Sequence, residues 1–261
     1  MKQRWILSIF AKSIRDFELC QKKVNFIDEK KVQLIFCDSN TKDRSDIILQ
    51  FPNRWLLFID ADCIPTVEAI KKIYDFISTA SGADFSMILV GRYLDPVKSN
   101  YLQKGHNFIA NVWVQSYVYP NSTEIPLLGG IFCLFSDPQK TAQLKRADKK
   151  WGGEDKRLGN NLRYCGYSLS FSSELEVIHE TSRNFFHFFR RAFLHGFNET
   201  KVKKPLIKNQ SRITFAKKVS FWFSEIHRTG LVLAPVVLLH FLILALGKLA
   251  QLILRRNTLD R

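Results

Sequence analysis

Asp60 and Asp62 sit one residue apart at the end of the apolar run Trp55–Ile59, within the stretch WLLFIDADCIP. Two carboxylates delivered together are hard oxygen ligands, suited to Mg2+ or Mn2+ holding a diphosphate, since these ions prefer carboxylate and phosphate oxygens. The run itself reads as a strand buried on both faces and stopped by Pro65. In open α/β sheets ligands bind at the carboxyl edge of the strands, where this pair is expected. The same tripeptide also suits a solvated turn capping a helix from about Thr66, and taken alone it favours that ordinary reading. Two further stretches hold chemistry-bearing residues. Glu154-Asp155 opens a helical pattern, where acidic groups complement the helix dipole. His179 follows the apolar run Leu175–Ile178; it is of a metal-ligating type, although such a histidine is more often a satisfied polar residue at an edge.

The elements that must position these groups alternate. Strands are expected at 5–10, 32–37, 55–59, 85–90 and 127–135, with a short one at 175–178. Helices are expected at 13–23, at 66–78 and from Glu154 to Gly166, the last burying Leu158 and Leu162. This βα alternation predicts an α/β fold with a mainly parallel sheet. Gly129-Gly130, inside an apolar run, marks a bulge, a close approach to the backbone or a packing requirement. The segment 100–119 is aromatic and amide-rich without a clear period, and 38–43 reads as a polar turn.

The chain has 261 residues and a formal net charge of +15. That length fits one large α/β domain or a domain with an appendage, and the charge predicts an anionic partner. Five scattered cysteines without C-x-x-C spacing argue for a reduced compartment and against a disulfide framework or zinc site. The basic start MKQRWILSIFAKS has too short an apolar run for a signal peptide and reads as a first strand.

Taken in order, LLFIDADCIP, the Gly129-Gly130 strand, WGGEDKRLGNNLRYCGY and VIHE resemble the family 2 glycosyltransferases, over about residues 32–198. The resemblance implies the GT-A fold, a Rossmann-like mixed, mainly parallel sheet flanked by helices. It implies that Asp62 coordinates Mg2+ or Mn2+ bridging a nucleotide diphosphate, with His179 a further ligand. Asp60 would lie near the sugar or ribose and Asp38 would contact the nucleotide. Asp155 would be the general base, with Glu154 supporting it. Gly129, Gly130, Trp151, Arg190 and Arg191 would be substrate contacts. An inverting transfer needs one carboxylate to take the acceptor proton and a cation to stabilise the leaving diphosphate, so one carboxylate site binds metal and another stays free of it. The chain departs from the family between Asp43 and Asp60, where only 16 residues stand in place of a helix, strand and helix. Asn53-Arg54 is the expected stand-in for the missing nucleotide contact.

The carboxyl-terminal part changes character. Phe185, Phe189 and Phe193 share a helical face beside Arg190 and Arg191, and residues 201–218 hold seven lysines and arginines. Gly230–Leu254 is apolar enough for a transmembrane helix, closed by Arg255-Arg256. The expected division is a GT-A domain at 1–200, a basic amphipathic juxtamembrane segment at 201–228 and a transmembrane helix at 229–256. The larger basic cluster precedes the helix, which places the catalytic domain on the cytoplasmic side of a single span. The expected activity is non-processive transfer of a sugar from a nucleotide-sugar donor to a glycan or lipid-linked acceptor, at an anionic membrane and without nucleic acid. The rival readings are a metal-dependent nucleotidyltransferase and an inactive membrane-bound scaffold of the same fold.

Overall fold

The computed structural model describes residues 5–27, 32–39, 43–115, 125, 128–145, 154–181, 184–199, 215–228 and 231–259. Its centre is β3 (Trp55–Asp60), whose five apolar residues divide between the two faces of a sheet. Leu56 and Phe58 pack with Ile47, Ile48, Leu158 and Leu162 on one side. Trp55, Leu57 and Ile59 pack with Cys20, Ala69, Ile70 and Ile73 on the other. A strand apolar on both faces is thereby buried on both, each large side chain contributing roughly 1.5–3 kcal/mol.

Seven strands form the sheet: β1 (Trp5–Ala11), β2 (Val32–Asp38), β3, β4 (Cys63–Pro65), β5 (Met87–Leu94), β6 (Ile131–Phe135) and β7 (Ser168–His179), in the order β2-β1-β3-β6-β5-β7-β4. β1 pairs in parallel with β2 and β3, and β5 with β7; β6 is antiparallel to β3 and β5, and β4 to β7. Five strands therefore run one way and two the other, the mixed, mainly parallel sheet expected. One face carries α2 (Arg44–Gln50) and α6 (Glu154–Tyr164), the other α1 (Ile14–Lys23) and α3 (Val67–Thr79). A short α5 (Pro138–Thr141) follows β6. α6 stops where Gly166 takes a φ of +86° and the Tyr167 N–H donates to the Leu162 carbonyl at 3.1 Å.

β3 and β4 are separated by two residues, yet they lie third and seventh in the sheet. The sheet curls, bringing its edge strand beside the end of its central one, and Asp62 lies at that crossing. The Asp60 N–H donates to the Gly130 carbonyl at 3.3 Å and the Glu180 N–H to the Asp62 carbonyl at 2.8 Å. The two aspartates are thus bonded to opposite ends of the curl.

α4 (Tyr101–Gln115) supplies the helix that sequence period left undefined. It packs with α7 (Phe185–Glu199), α8 (Phe215–Arg228) and α9 (Ala234–Leu259) around Ile109, Phe188, Ala192, Val236, Val237 and Ile243. α7 and α9 run side by side with their backbones close. A Cβ on Gly196 would stand 2.0 Å from the Leu244 carbonyl oxygen, and one on Gly247 would stand 2.2 Å from that of Phe193. The buried face of α7 is Phe188-Ala192-Gly196, whereas Phe185 and Phe189 of the expected stripe are exposed. Within α9, Ala234–Leu254 has 21 residues and a mean hydropathy of 2.2, long and apolar enough to cross a membrane, as some core helices also are. Val236, Val237, His240, Ile243, Leu244 and Gln251 line its buried face; Leu238, Leu242, Leu246 and Leu249 are exposed.

Candidate active site

α2 follows the turn expected at 38–43 and occupies a stretch to which the sequence pattern assigned no element. Asp43 caps it: its carboxylate accepts from the Ser45 N–H at 2.8 Å, and the Asp46 carboxylate accepts from the Asp43 N–H at 3.0 Å. This reciprocal cap satisfies two otherwise orphaned N–H groups and starts the helix at Arg44. Ile47 and Ile48 then fix it to the sheet. Arg44 is thereby aimed across the carboxyl edge: one guanidinium nitrogen is 2.5 Å from Asp60 Oδ1 and another is 3.3 Å from Asp155 Oδ1. One planar fork holds two carboxylates from different elements, a geometry that lysine does not reproduce. Asp155 stands in the first turn of α6, as expected.

Asp60 and Asp62 are pushed in opposite directions. Burial raises the Asp60 carboxyl above the ordinary carboxylate range, and the Asp62 charge adds to this, both outweighing Arg44. Burial also opposes ionisation of Asp62, but hydrogen bonding and charge from His179, with the charge of Arg191, outweigh it and hold that carboxyl well below the ordinary range. Asp62 is the member of the pair kept as an anion, as a cation ligand must be.

Asp62 Oδ2 lies 3.5 Å from His179 Nε2, and the Cys63 thiol donates to Asp62 Oδ1 at 3.7 Å. Cys63 and His179 are directly opposite in the β4–β7 ladder, which puts their side chains on the same face. One ligand atom from each of Asp62, Cys63 and His179 lies within 4.8 Å of the others, so the three fit a divalent cation. The scattered cysteine spacing pointed away from a metal site; the place of Cys63 beside a D-x-D is the signal that was there. Burial, followed by the neighbouring Asp62 and Asp60 charges, raises its thiol, so it stays protonated beside the carboxylates.

The histidine is held on two sides. Tyr93 stacks on its ring at a centroid distance of 4.4 Å, and Asn107 Oδ1 lies 2.8 Å from its Nδ1. The Tyr93 hydroxyl accepts from the Gly130 N–H at 2.6 Å. A Cβ on Gly130 would meet the Tyr93 ring at 2.7 Å and Cys63 Sγ at 2.9 Å, so glycine here is a packing requirement of the tyrosine. Gly129 is less crowded, with Val90 Cγ1 3.3 Å from a built Cβ. Arg191 donates to the Thr181 hydroxyl at 3.1 Å, and its charge acts on both Asp60 and Asp62.

The expected residues therefore separate. Asp60, Asp62, Asp155, His179, Gly130 and Arg191 come together. Asp38 ends β2 at the same edge, two strands from Asp60 and about 10 Å away by strand spacing. Arg190 is exposed, and its charge bears on His187. Asn53 and Arg54 precede β3 and so lie at the opposite end of that strand, roughly 20 Å from Asp60. The arginine that stands beside Asp60 in place of Arg54 is Arg44, for which the sequence pattern gave no expectation. Glu154 begins α6, its side chain outside the described set, and Trp151 lies outside the described residues.

No family model matches the sequence, and no curated protein matches it. Solved structures do. The mannosyltransferase PcManGT from Pyrobaculum calidifontis, in complex with GDP-Man and Mn2+, superposes with a TM-score of 0.52 at 10% identity, over 95% of this chain and 88% of its own. The chain has a GT-A-type glycosyltransferase fold. Two structures of TarS from S. aureus superpose more loosely at 13% identity, with TM-scores of 0.41 and 0.44. They cover 87% and 86% of this chain, and 43% and 72% of their own.

Proposed function

We propose that this chain is a glycosyltransferase that moves a sugar from a nucleotide-sugar donor to a hydroxyl of a glycan or lipid-linked acceptor, with inversion and with Mg2+ or Mn2+. The observation that carries the reading is the division of acidic groups into two stations on one fold edge. Asp62, His179 and Cys63 form a compact donor set. Asp155 stands apart on α6, held through Arg44. Asp62 and His179 would hold the cation, with Cys63 beside them, and the cation would supply charge stabilisation for the departing diphosphate. Asp155 takes the proton from the attacking hydroxyl as the new bond to the anomeric carbon forms and the bond to the diphosphate oxygen breaks. Arg44 and Arg191 place positive charge beside the same edge, where the leaving group gains negative charge. Asp38, at that edge, is the contact proposed for the nucleotide, and Trp151 and Glu154 the contacts for the acceptor. The donor complex of PcManGT supports this choice of ligand class, as does the donor set itself.

The site is proposed to work at an anionic membrane face on the cytoplasmic side. Residues 1–200 carry the chemistry; 201–228 and 229–256 carry the attachment. α9 is taken to lie in the plane of the membrane rather than across it. It packs along α7, and a bilayer surrounding both would take Arg190, Arg191 and His187 into hydrocarbon, which is costly. With its inner face on the protein, α9 offers Leu238, Leu242, Leu246 and Leu249 to acyl chains. The lysines and arginines of 201–218 suit the headgroups beside it.

The test is to incubate the full chain, in membranes, with a panel of nucleotide sugars and Mn2+ or Mg2+. A transferase releases a nucleotide product stoichiometric with a new glycoside; pyrophosphate release instead marks a nucleotidyltransferase, and failure to bind any donor marks a scaffold.

A further inference from the structure

Asn107 is a buried polar residue on α4 with every polar atom committed. Its Nδ2 donates to Asp95 Oδ1 at 2.9 Å, to the His179 carbonyl at 3.3 Å and to the Leu94 carbonyl at 3.4 Å. All three partners are acceptors only, so the amide nitrogen must face them and the amide oxygen must face His179. That oxygen lies 2.8 Å from His179 Nδ1 and accepts, so Nδ1 must carry a proton. In the neutral imidazole the proton on Nδ1 leaves Nε2 with its lone pair, and Nε2 points at Asp62 Oδ2. The ring has no freedom to turn away, because Tyr93 stacks against it. In that neutral form the Nε2 lone pair and the Asp62 carboxylate lie 3.5 Å apart, close enough to share one cation.

We propose that Asn107, oriented by Asp95, is a positioning residue that fixes the Nδ1–H tautomer of His179 and so sets its Nε2 as a ligand for a divalent cation shared with Asp62. This rests on the cation site argued above and adds the device that presets it. Neither Asn107 nor Asp95 contacts the cation; they act through the ring. Donation of the second ring N–H to an acceptor is the usual means by which proteins orient a ligating histidine, and losing that acceptor commonly costs about 10–100-fold in metal affinity. The sequence hides the device, since Asn107 and His179 are 72 residues apart.

Two readouts test it on the full chain in detergent. The first is the long-range nitrogen–proton spectrum of the metal-free protein with neutral histidines, the His179 signals being those that vanish in His179→Ala. The second is Mn2+ binding followed by electron paramagnetic resonance. Wild type is expected to show His179 protonated on Nδ1. Asn107→Leu is expected to lose that tautomer preference and bind Mn2+ about 10–100-fold more weakly. Asp95→Asn, at an exposed residue, keeps the fold if Asn107→Leu does not, and is expected to move both readouts in the same direction by less. A wild-type His179 protonated on Nε2 overturns the proposal. So do variants that bind Mn2+ as wild type does while His179→Ala binds it weakly. If His179→Ala itself binds Mn2+ like wild type, the cation site fails, and the tautomer spectrum still decides what Asn107 does.

Discussion

Arg44 joins the two halves of the proposed chemistry with one guanidinium, 2.5 Å from Asp60 and 3.3 Å from Asp155. Its side chain is 15% exposed, against 32% for Asp60 and 39% for Asp155, so it is the buried member of a partly open network. Lysine at this position carries the charge but not the fork, and we expect Arg44→Lys to lower kcat/KM about tenfold to a hundredfold. That corresponds to roughly 1.5–3 kcal/mol, the scale of a charged hydrogen bond. Retention of full activity in Arg44→Lys would show that one contact suffices. The raised Asp60 carboxyl has a consequence for stability with a definite sign. A carboxyl whose folded pKa lies above its unfolded value binds more protons when folded, so stability falls as pH rises from the ordinary carboxylate range through the raised value. The metal-free protein is therefore expected to gain resistance to denaturant as pH is lowered into that window, and Asp60→Asn to flatten this part of the profile. An unchanged slope in Asp60→Asn would assign it to another group. At this scale residue types are legible in the sequence but their partners are not. Asp60, Asp62 and Asp155 were legible from motifs, whereas Arg44 was not, because its role depends on how a seven-residue helix is aimed.

That helix was written locally and still missed. Asp43 and Asp46, three apart and followed by Ile47 and Ile48, make a helix-start pattern, but aspartate at the third position is less telling than the usual glutamate or glutamine. β7 was seen only at its end, Leu175–Ile178, because its first half is serine-rich and partly open; the strand runs from Ser168 to His179. The six residues of the expected strand 85–90 shift to Met87–Leu94, since 82–86 form a 3-10 turn capped through Ser81 and Asp84. The contact between α7 and α9 was the least legible feature, as it depends on two glycines that read as ordinary helix residues. Adding a methyl at Gly196 drives it into the Leu244 carbonyl, backbone that cannot rotate aside. Gly196→Ala is therefore expected to cost about 1–3 kcal/mol in chemical denaturation, although alanine is the better helix former. A stabilised Gly196→Ala would mean the two helices do not meet so closely.

For the whole molecule, the sheet and its two cores follow from a simple rule, that alternate residues of a doubly buried strand go to opposite faces. The α/β class, six of the seven strands and the apolar final helix were readable on that basis, whereas the three-residue β4 was not. The packing of the final helix was not, because an all-round apolar sequence does not say which face meets protein. If α9 lies in the membrane plane, the chain should bind vesicles containing anionic lipid and release partly in salt, with a label placed after residue 254 reachable from the same side as the catalytic part. A label reachable only from the opposite side would establish a spanning helix. Cation-held donor and proton-accepting base are proposed to be separate stations on one edge. The most direct test of that separation is calorimetric binding of the active nucleotide sugar with Mn2+, set beside the transfer rate, for Asp62→Ala and Asp155→Asn. Asp62→Ala is expected to lose Mn2+-dependent donor binding, while Asp155→Asn binds the donor as the parent does and fails to transfer. Normal transfer by both variants, or equal loss of donor binding in both, would contradict the separation.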